Sequence, residues 1–233
     1  MKKLLVYLLF LLLTFSLVSV GYATTENPGN PLSDGVYFSD DFDNASGLSS
    51  DWSPLMGGKL KSIVSDPDPT NAGNKVLSDP SSLDSDRIAI NTSLPETYTI
   101  EAKVRVGYVD WDSYAGLALY IQDRNNFYQC MFKRGTGFMI TRKGGSRREF
   151  SAKQSFNFQA NTWYTFKCSI TPSGEGRLTL TAALYTDPTK DPVATVTGTD
   201  KNATFTSTSA GLFSYKAVSY FDDVVVSEGA LTP

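Results

Sequence analysis

The sequence predicts an all-β protein, a two-sheet antiparallel β-sandwich of jelly-roll type, and three observations carry that prediction. Short runs alternate apolar and polar residues with the period of a strand, turn residues punctuate them at short intervals, and no amphipathic helical stretch of useful length interrupts them. The chain has 233 residues. Most of that length suits one large β domain better than two small ones.

The first segment is not part of the fold. Residues 1–23 read "MKKLLVYLLFLLLTFSLVSVGYA": two lysines, an apolar run from Leu4 to Val20, then Gly21 and Ala23 at the small-residue positions of a cleavage site. They are expected to be a secretory signal peptide removed after Ala23, which makes the mature protein secreted and extracellular, with no membrane association after cleavage. A retained anchor is the alternative, because the run approaches the length that spans a bilayer. Residues 24–35, "TTENPGNPLSDG", are rich in Pro, Gly and Asn without periodicity and read as a flexible leader. Residues 229–233 form a short C-terminal tail.

Between these, residues 36–228 carry the strand signal. In "TYTIEAKVRVGY", Tyr98, Ile100, Ala102, Val104, Val106 and Tyr108 share one face, and Thr99, Glu101, Lys103 and Arg105 share the other. Further runs follow, among them "YAGLALYIQ", "NFYQCMFKR", "GFMITRKG", "TWYTFKCSI", "RLTLTAALYT", "AGLFSY" and "SYFDDVVV". Hairpin punctuation such as "DRNN", "RGTG" and "KGGS" joins several of them. Twelve or more short strands with short connections fold as two packed antiparallel sheets.

The order of "DDFDNASGLSSDW", "YTIEAKVRV", "YAGLALYIQDRNNFYQCMF", "NTWYTFKCSI" and "GLFSYKAVSYFDDVVV" resembles the concanavalin A-like lectin and glucanase superfamily, specifically its laminin-G-like jelly-roll modules. Such carbohydrate-binding modules occur in secreted polysaccharide-degrading proteins, pectate lyases included. The resemblance implies a polysaccharide ligand, an associated polysaccharide-degrading enzyme as partner, and first and last strands that lie side by side.

That adjacency gives two acidic knots a reason. Asp40, Asp41 and Asp43 would approach Asp222 and Asp223, and like charges facing each other across a ladder are destabilising. A structural calcium ion, bound by carboxylates, carbonyls and water, would turn the repulsion into a cross-link. Solvated aspartates that blunt an edge strand are the alternative.

Composition excludes several chemistries. There is no histidine, so Ser-His-Asp and Cys-His triads, His-ligated zinc and imidazole bases are absent. The net charge of −3 becomes −5 when Lys2 and Lys3 leave with the signal, and an acidic chain of this kind does not suit nucleic acid. Cys130 and Cys168 fall on apolar faces of two strands, which fits either small buried hydrophobes or a disulfide.

One region reverses the sign. Residues 124–153 hold Arg124, Lys133, Arg134, Arg142, Lys143, Arg147, Arg148 and Lys153 against a single acid, Glu149. Aromatic residues are interleaved or adjacent. Guanidinium groups bind carboxylates in a planar fork, and aromatic faces accept sugar rings. Arg134, Arg142 and Arg147 are therefore expected to meet the carboxylates of an anionic polysaccharide such as pectin, with Trp111, Tyr120 or Tyr128 stacking on its rings. Asp110 and Asp112 are the nearest carboxylate pair, but the Glu-x-Asp-x-Glu strand of related hydrolases is missing. The expectation is a noncatalytic carbohydrate-binding module, with a lyase or glycoside hydrolase, or a cell-surface adhesion domain, as alternatives.

Overall fold

A computed structural model describes residues 31–32, 34–80, 85–144 and 151–232, with the backbone alone for residues 108–111. The expected signal peptide and most of the expected leader lie outside the described residues. Among the described residues, thirteen strands form an antiparallel sandwich. They are β1 (Val36–Asp40), β2 (Trp52–Met56), β3 (Ser62–Ser65), β4 (Lys75–Asp79), β5 (Ser85–Ile90), β6 (Tyr98–Asp123), β7 (Asn126–Lys133), β8 (Gly137–Lys143), β9 (Ser151–Gln154), β10 (Trp163–Pro172), β11 (Leu178–Tyr185), β12 (Ala194–Asp200) and β13 (Ala210–Glu228).

Two long strands bind the layers together. The first part of β6 and the second part of β13 belong to one layer, ordered β12–β11–β10–β6–β13, with β1 and the β4–β3 pair on the far edge of β13. The second part of β6 and the first part of β13 belong to the other layer, ordered β9–β8–β7–β6–β13–β5–β2. The passage between layers falls where the ladder slips between Tyr215 and Ala217, with Lys216 in the left-handed region at φ 51°. A bulge adds twist and bends the strand, which is what a strand serving both sheets needs.

The alternation read from the sequence is what builds the core. Tyr98, Ile100, Ala102, Val104 and Val106 all point inward and are buried. Past the bend the parity reverses, so Ala115, Leu117 and Leu119 face the same core from the other layer. Phe132, Phe138 and Phe166 meet edge to face, with centroids 4.9 and 5.5 Å from Phe166. Such contacts add about 1 kcal/mol each to the burial of the rings.

Cys130 in β7 and Cys168 in β10 face each other from opposite layers as buried free thiols. Burial, then a hydrogen bond with Cys168, pushes the Cys130 thiol up, so it packs as a small hydrophobe.

The two outer faces differ. On the first layer Glu101 pairs with Lys167 at 2.8 Å, and threonine hydroxyls pair across β11 and β12. On the second layer the outward parity is apolar as well: Tyr114, Ala118, Phe127, Met131, Met139 and Phe213 form a second cluster. Cations lie over its rings. Arg87 is 4.8 Å and Lys143 5.8 Å from the centroid of Phe127, and Lys133 is 5.7 Å from that of Tyr114. Each position is within the range of a cation–π attraction.

Candidate functional site: a groove at one end of the sandwich

Three connections meet at the end of the sandwich where β5, β10 and β12 finish. They are the β5–β6 loop (residues 91–97), the β10–β11 hairpin (residues 173–177) and the β12–β13 connection (residues 201–209), and they enclose a groove of about 1000 Å³. Its floor is apolar, from Ile90, Leu94, Leu178 and half-buried Phe205. Its rim is polar, from Asn91, Thr204, Thr206 and Ser207. A carboxylate, Glu96, and a guanidinium, Arg177, complete the lining, so the groove carries balanced charge.

The wall formed by residues 201–209 has no regular structure, yet side chains from the core hold it. Arg142 donates through Nη1 to Asp200 Oδ2 at 2.8 Å and to the Asn202 carbonyl at 2.6 Å. Tyr128 donates its hydroxyl to the same Asp200 oxygen at 2.8 Å. Tyr98 donates to the Ser209 carbonyl at 3.1 Å, and Ile121 N donates to the same carbonyl. With its amide turned, Gln122 accepts from Thr206 N and Ser207 N. Anchoring of this kind removes the ordering cost that a ligand would otherwise meet on binding.

The structure thus sorts the expected ligand residues. Tyr128 is completely buried and Arg142 is 5% exposed, so neither can stack on a sugar or fork a carboxylate from solution. The reason is parity: both point inward, where a buried phenol and guanidinium need a partner, and Asp200 supplies it. Burial first, then the hydrogen bond to Asp200, raises the Tyr128 phenol and keeps it protonated. Tyr120 lines the groove but is 3% exposed, with its ring on Tyr98 at 6.2 Å and its hydroxyl on the Glu96 carbonyl at 2.8 Å. It is a floor residue at φ 49°, its phenol pushed up to about 12 by burial. Arg134 sits on the β7–β8 turn at the opposite end. Arg147 and the side chain of Trp111 lie outside the described residues.

The interleaving of cations with aromatics has an internal explanation. Arg142 lies 5.7 Å from the Phe205 centroid, as Lys133 and Lys143 lie over Tyr114 and Phe127. Lys133 also pairs with Asp112 at 2.6 Å. The expected single cationic face is therefore divided between the interior, the outer sheet face and a turn at the far end.

The acidic knots do meet as backbone, since Asp40 stands opposite Val224 in the β1–β13 ladder. Their side chains diverge. Asp40 accepts from Trp52 Nε1 at 2.8 Å and from Phe42 N, Asp43 accepts from Lys75 N, and Asp41 accepts from Asp43 N. Asp223 pairs with Lys103, and Asp222 accepts from Asn74 Nδ2 at 3.1 Å. Among the described residues, no three His, Cys, Asp or Glu side chains stand close enough together to hold a metal ion.

Burial lifts the Asp222 carboxyl to about 6, against the hydrogen bond from Asn74. A carboxyl raised in the folded state stabilises the fold below the unfolded pKa of 3.8, and that contribution is lost as pH rises through about 6. In EDTA, Asp222→Asn is therefore expected to gain on the parent between pH 4 and 7.5, by up to about 2 kcal/mol. Urea unfolding of both proteins at the two pH values checks it, and a constant difference would end the reading.

Comparisons with known proteins bear on the fold. No family model matches the chain, and no curated protein matches it. Solved structures do. The carbohydrate-binding module CBM66 from Bacillus subtilis superposes with a TM-score of 0.51 at 14% identity, covering 76% of this chain and 96% of that one. Domain 4 of AbnA, a GH43 extracellular arabinanase from Geobacillus stearothermophilus, solved in complex with arabinotriose, gives 0.56 at 14%, covering 85% and 94%. A bifunctional GH43-CE protein of Bacteroides eggerthii gives 0.59 at 14%, covering 86% of this chain but 27% of its own. The chain is an antiparallel jelly-roll sandwich, the fold that it has in common with these domains. At these identities the fold is what is shared.

Phe205 and the hydroxyl wall are absent from the sequence-based expectation. A signal for them exists, because "NATFTSTSAG" places one aromatic inside a Thr and Ser run between two strands, where no core alternation demands it.

Proposed function

We propose that the chain is an exported, noncatalytic carbohydrate-binding domain that seats a short stretch of glycan in the end groove. The observation that carries this reading is the groove itself: an apolar floor with the half-buried Phe205 ring, under a rim of hydroxyls and amides held in place from the core. Sugar rings offer apolar faces and a fringe of hydroxyls, and concave sites with few fixed polar groups suit them. Among the described residues that line the groove, Glu96 is the single carboxylate, whereas glycoside hydrolysis uses two. The likeness to domain 4 of the arabinanase supports the same reading and supplies a probe.

Titration with arabinotriose and a neutral oligosaccharide panel tests it. Arg177→Ala with Thr206→Ala, both on exposed loops, is expected to weaken binding at least tenfold with an unchanged melting temperature. Unchanged affinity would remove the groove from the account. By holding an associated polysaccharide-degrading enzyme beside its substrate, the domain would raise effective concentration without new chemistry.

Two finer proposals stand beside it. Selectivity for acidic polymers such as pectin needs a cationic site, which the charge-balanced groove does not supply. A structural calcium at the β1–β13 edge, near Asp40, Asp41, Asp43, Asp222 and Asp223, requires the present Trp52 and Asn74 donors to give way. A melting temperature higher in millimolar calcium than in EDTA supports the ion, and equal values dismiss it.

A further inference from the structure

The two charges of the end groove come from different connections. Glu96 belongs to the β5–β6 loop and Arg177 to the β10–β11 hairpin, and both are exposed at the lining. Among the described residues, neither the Glu96 carboxylate nor the Arg177 guanidinium forms an ion pair or a hydrogen bond. They stand in one groove without neutralising each other.

The backbone fixes both. The Glu96 carbonyl accepts from the Tyr120 hydroxyl at 2.8 Å, and the next carbonyl, Thr97, accepts from Gly229 N at 3.3 Å. Arg177 closes its own hairpin, with its N–H on the Gly174 carbonyl and its carbonyl on Ser173 N, both at 3.1 Å. Ala203 N donates to the Gly176 carbonyl at 2.9 Å, which ties the hairpin to the hydroxyl wall. The Glu96 charge is also felt at the floor, where it adds to the effect of burial in raising the Tyr120 phenol.

The two groups ask for opposite things. A carboxylate only accepts hydrogen bonds, and a guanidinium only donates them. A ligand that satisfies both must give protons on one side and take them on the other. An anionic sugar is attracted by Arg177 and repelled by Glu96, and an amino sugar meets the reverse. A free sugar hydroxyl donates and accepts, and two on adjacent ring carbons match the two oxygens of the carboxylate. The rim hydroxyls of Thr204, Thr206 and Ser207 also work in either direction, so discrimination falls to Glu96.

We propose that the groove selects neutral glycan stretches whose vicinal hydroxyls are unsubstituted, with Glu96 accepting from the hydroxyl pair and Arg177 donating to sugar oxygens on the hairpin side. The proposal rests on the reading of the groove as a glycan site, and it adds what that site rejects. A hydroxyl capped as an ether or ester still accepts but no longer donates, and it leaves the carboxylate partly stripped of water with no donor in exchange.

The probes are arabinotriose and a derivative whose vicinal hydroxyls are capped as methyl ethers, each titrated into the whole mature chain. Capping keeps the rings, the acceptor oxygens and the neutrality, and removes the donors alone. The ether is expected to bind the parent about tenfold more weakly or worse. Glu96→Ala is expected to weaken arabinotriose by a similar factor, to change the ether by less than about twofold, and to leave the melting temperature where it was. Glu96→Gln, which keeps one acceptor oxygen, falls between. Arg177→Ala is expected to weaken both ligands alike, because ether oxygens still accept. Equal binding of the two ligands to the parent, or an equal loss for both in Glu96→Ala, overturns the proposal. These failures are distinct from failure of the groove: arabinotriose bound normally by Arg177→Ala with Thr206→Ala removes the groove and this selectivity together, whereas arabinotriose lost in that variant and an ether bound as well as its parent sugar removes the selectivity alone.

Discussion

Asp200→Ala is expected to cost about 3–5 kcal/mol and to lower the melting temperature by roughly 10 °C, because it strands a buried guanidinium. Asp200 Oδ2 accepts from both Arg142 and Tyr128, and Asp200 Oδ1 accepts from Asn202 N at 3.0 Å. All three side chains are buried. Without the carboxylate, Arg142 keeps the Asn202 carbonyl but loses the Asp200 charge at a position only 5% exposed. Replacing all three side chains, as in Arg142→Met with Asp200→Leu and Tyr128→Phe, should recover most of the stability, since an apolar set leaves neither the guanidinium nor the phenol to be compensated. Affinity for arabinotriose should not recover, because the start of the groove wall has lost the anchors that Arg142 and Asp200 give Asn202. Denaturant unfolding and titration of the three proteins check this. A loss below about 1 kcal/mol for Asp200→Ala would show that the network is solvated and does not hold the wall.

Gly211→Ala is the second large effect. A Cβ at Gly211 would fall 2.0 Å from the Ile88 carbonyl and 3.0 Å from Ala89 Cα. The obstacle is backbone, so no side-chain rotation relieves it, and β5 would have to move away from β13. Gly116 repeats the arrangement on the other side of the layer, with the Cys130 carbonyl at 2.0 Å and Met131 Cα at 3.0 Å. Overpacking of buried positions costs about 1–3 kcal/mol when side chains can adjust, and rigid backbone puts these two at or above that range. Gly47, with nothing within 4 Å of its Cβ position, is the control, and Gly47→Ala should stay within about 0.5 kcal/mol of the parent. Thermal unfolding of the three variants decides it; a Gly211→Ala protein as stable as the control would mean that the strands part easily.

These two results concern residues that the sequence displays in different ways. Gly116 and Gly211 lie within "YAGLALYIQ" and "AGLFSY", runs that read plainly as strands, yet only the register against β7 and β5 shows that a neighbouring carbonyl sits where a side chain would be. Tyr128 and Arg142 lie in an evidently basic and aromatic stretch. Their inward parity follows from apolar neighbours such as Cys130 and Ile140, but the partner that makes burial tolerable, Asp200, is 72 residues beyond Tyr128 and 58 beyond Arg142. Charge counted along the chain does not reveal which charges reach water.

By itself the sequence determined the class of fold and the inner face of its strands, since alternation with period two is a local property that survives wherever the strand is placed. It also determined that the acidic ends of the domain would be neighbours, by resemblance, and β1 does pair with β13. Which layer each half of β6 and β13 joins, which cations are consumed by aromatic rings and by Asp200, and where cavities open were decided by tertiary structure alone. Those properties depend on contacts between residues far apart in the chain, and a buried charge is either a ligand-binding group or a structural one according to the partner that the fold brings to it.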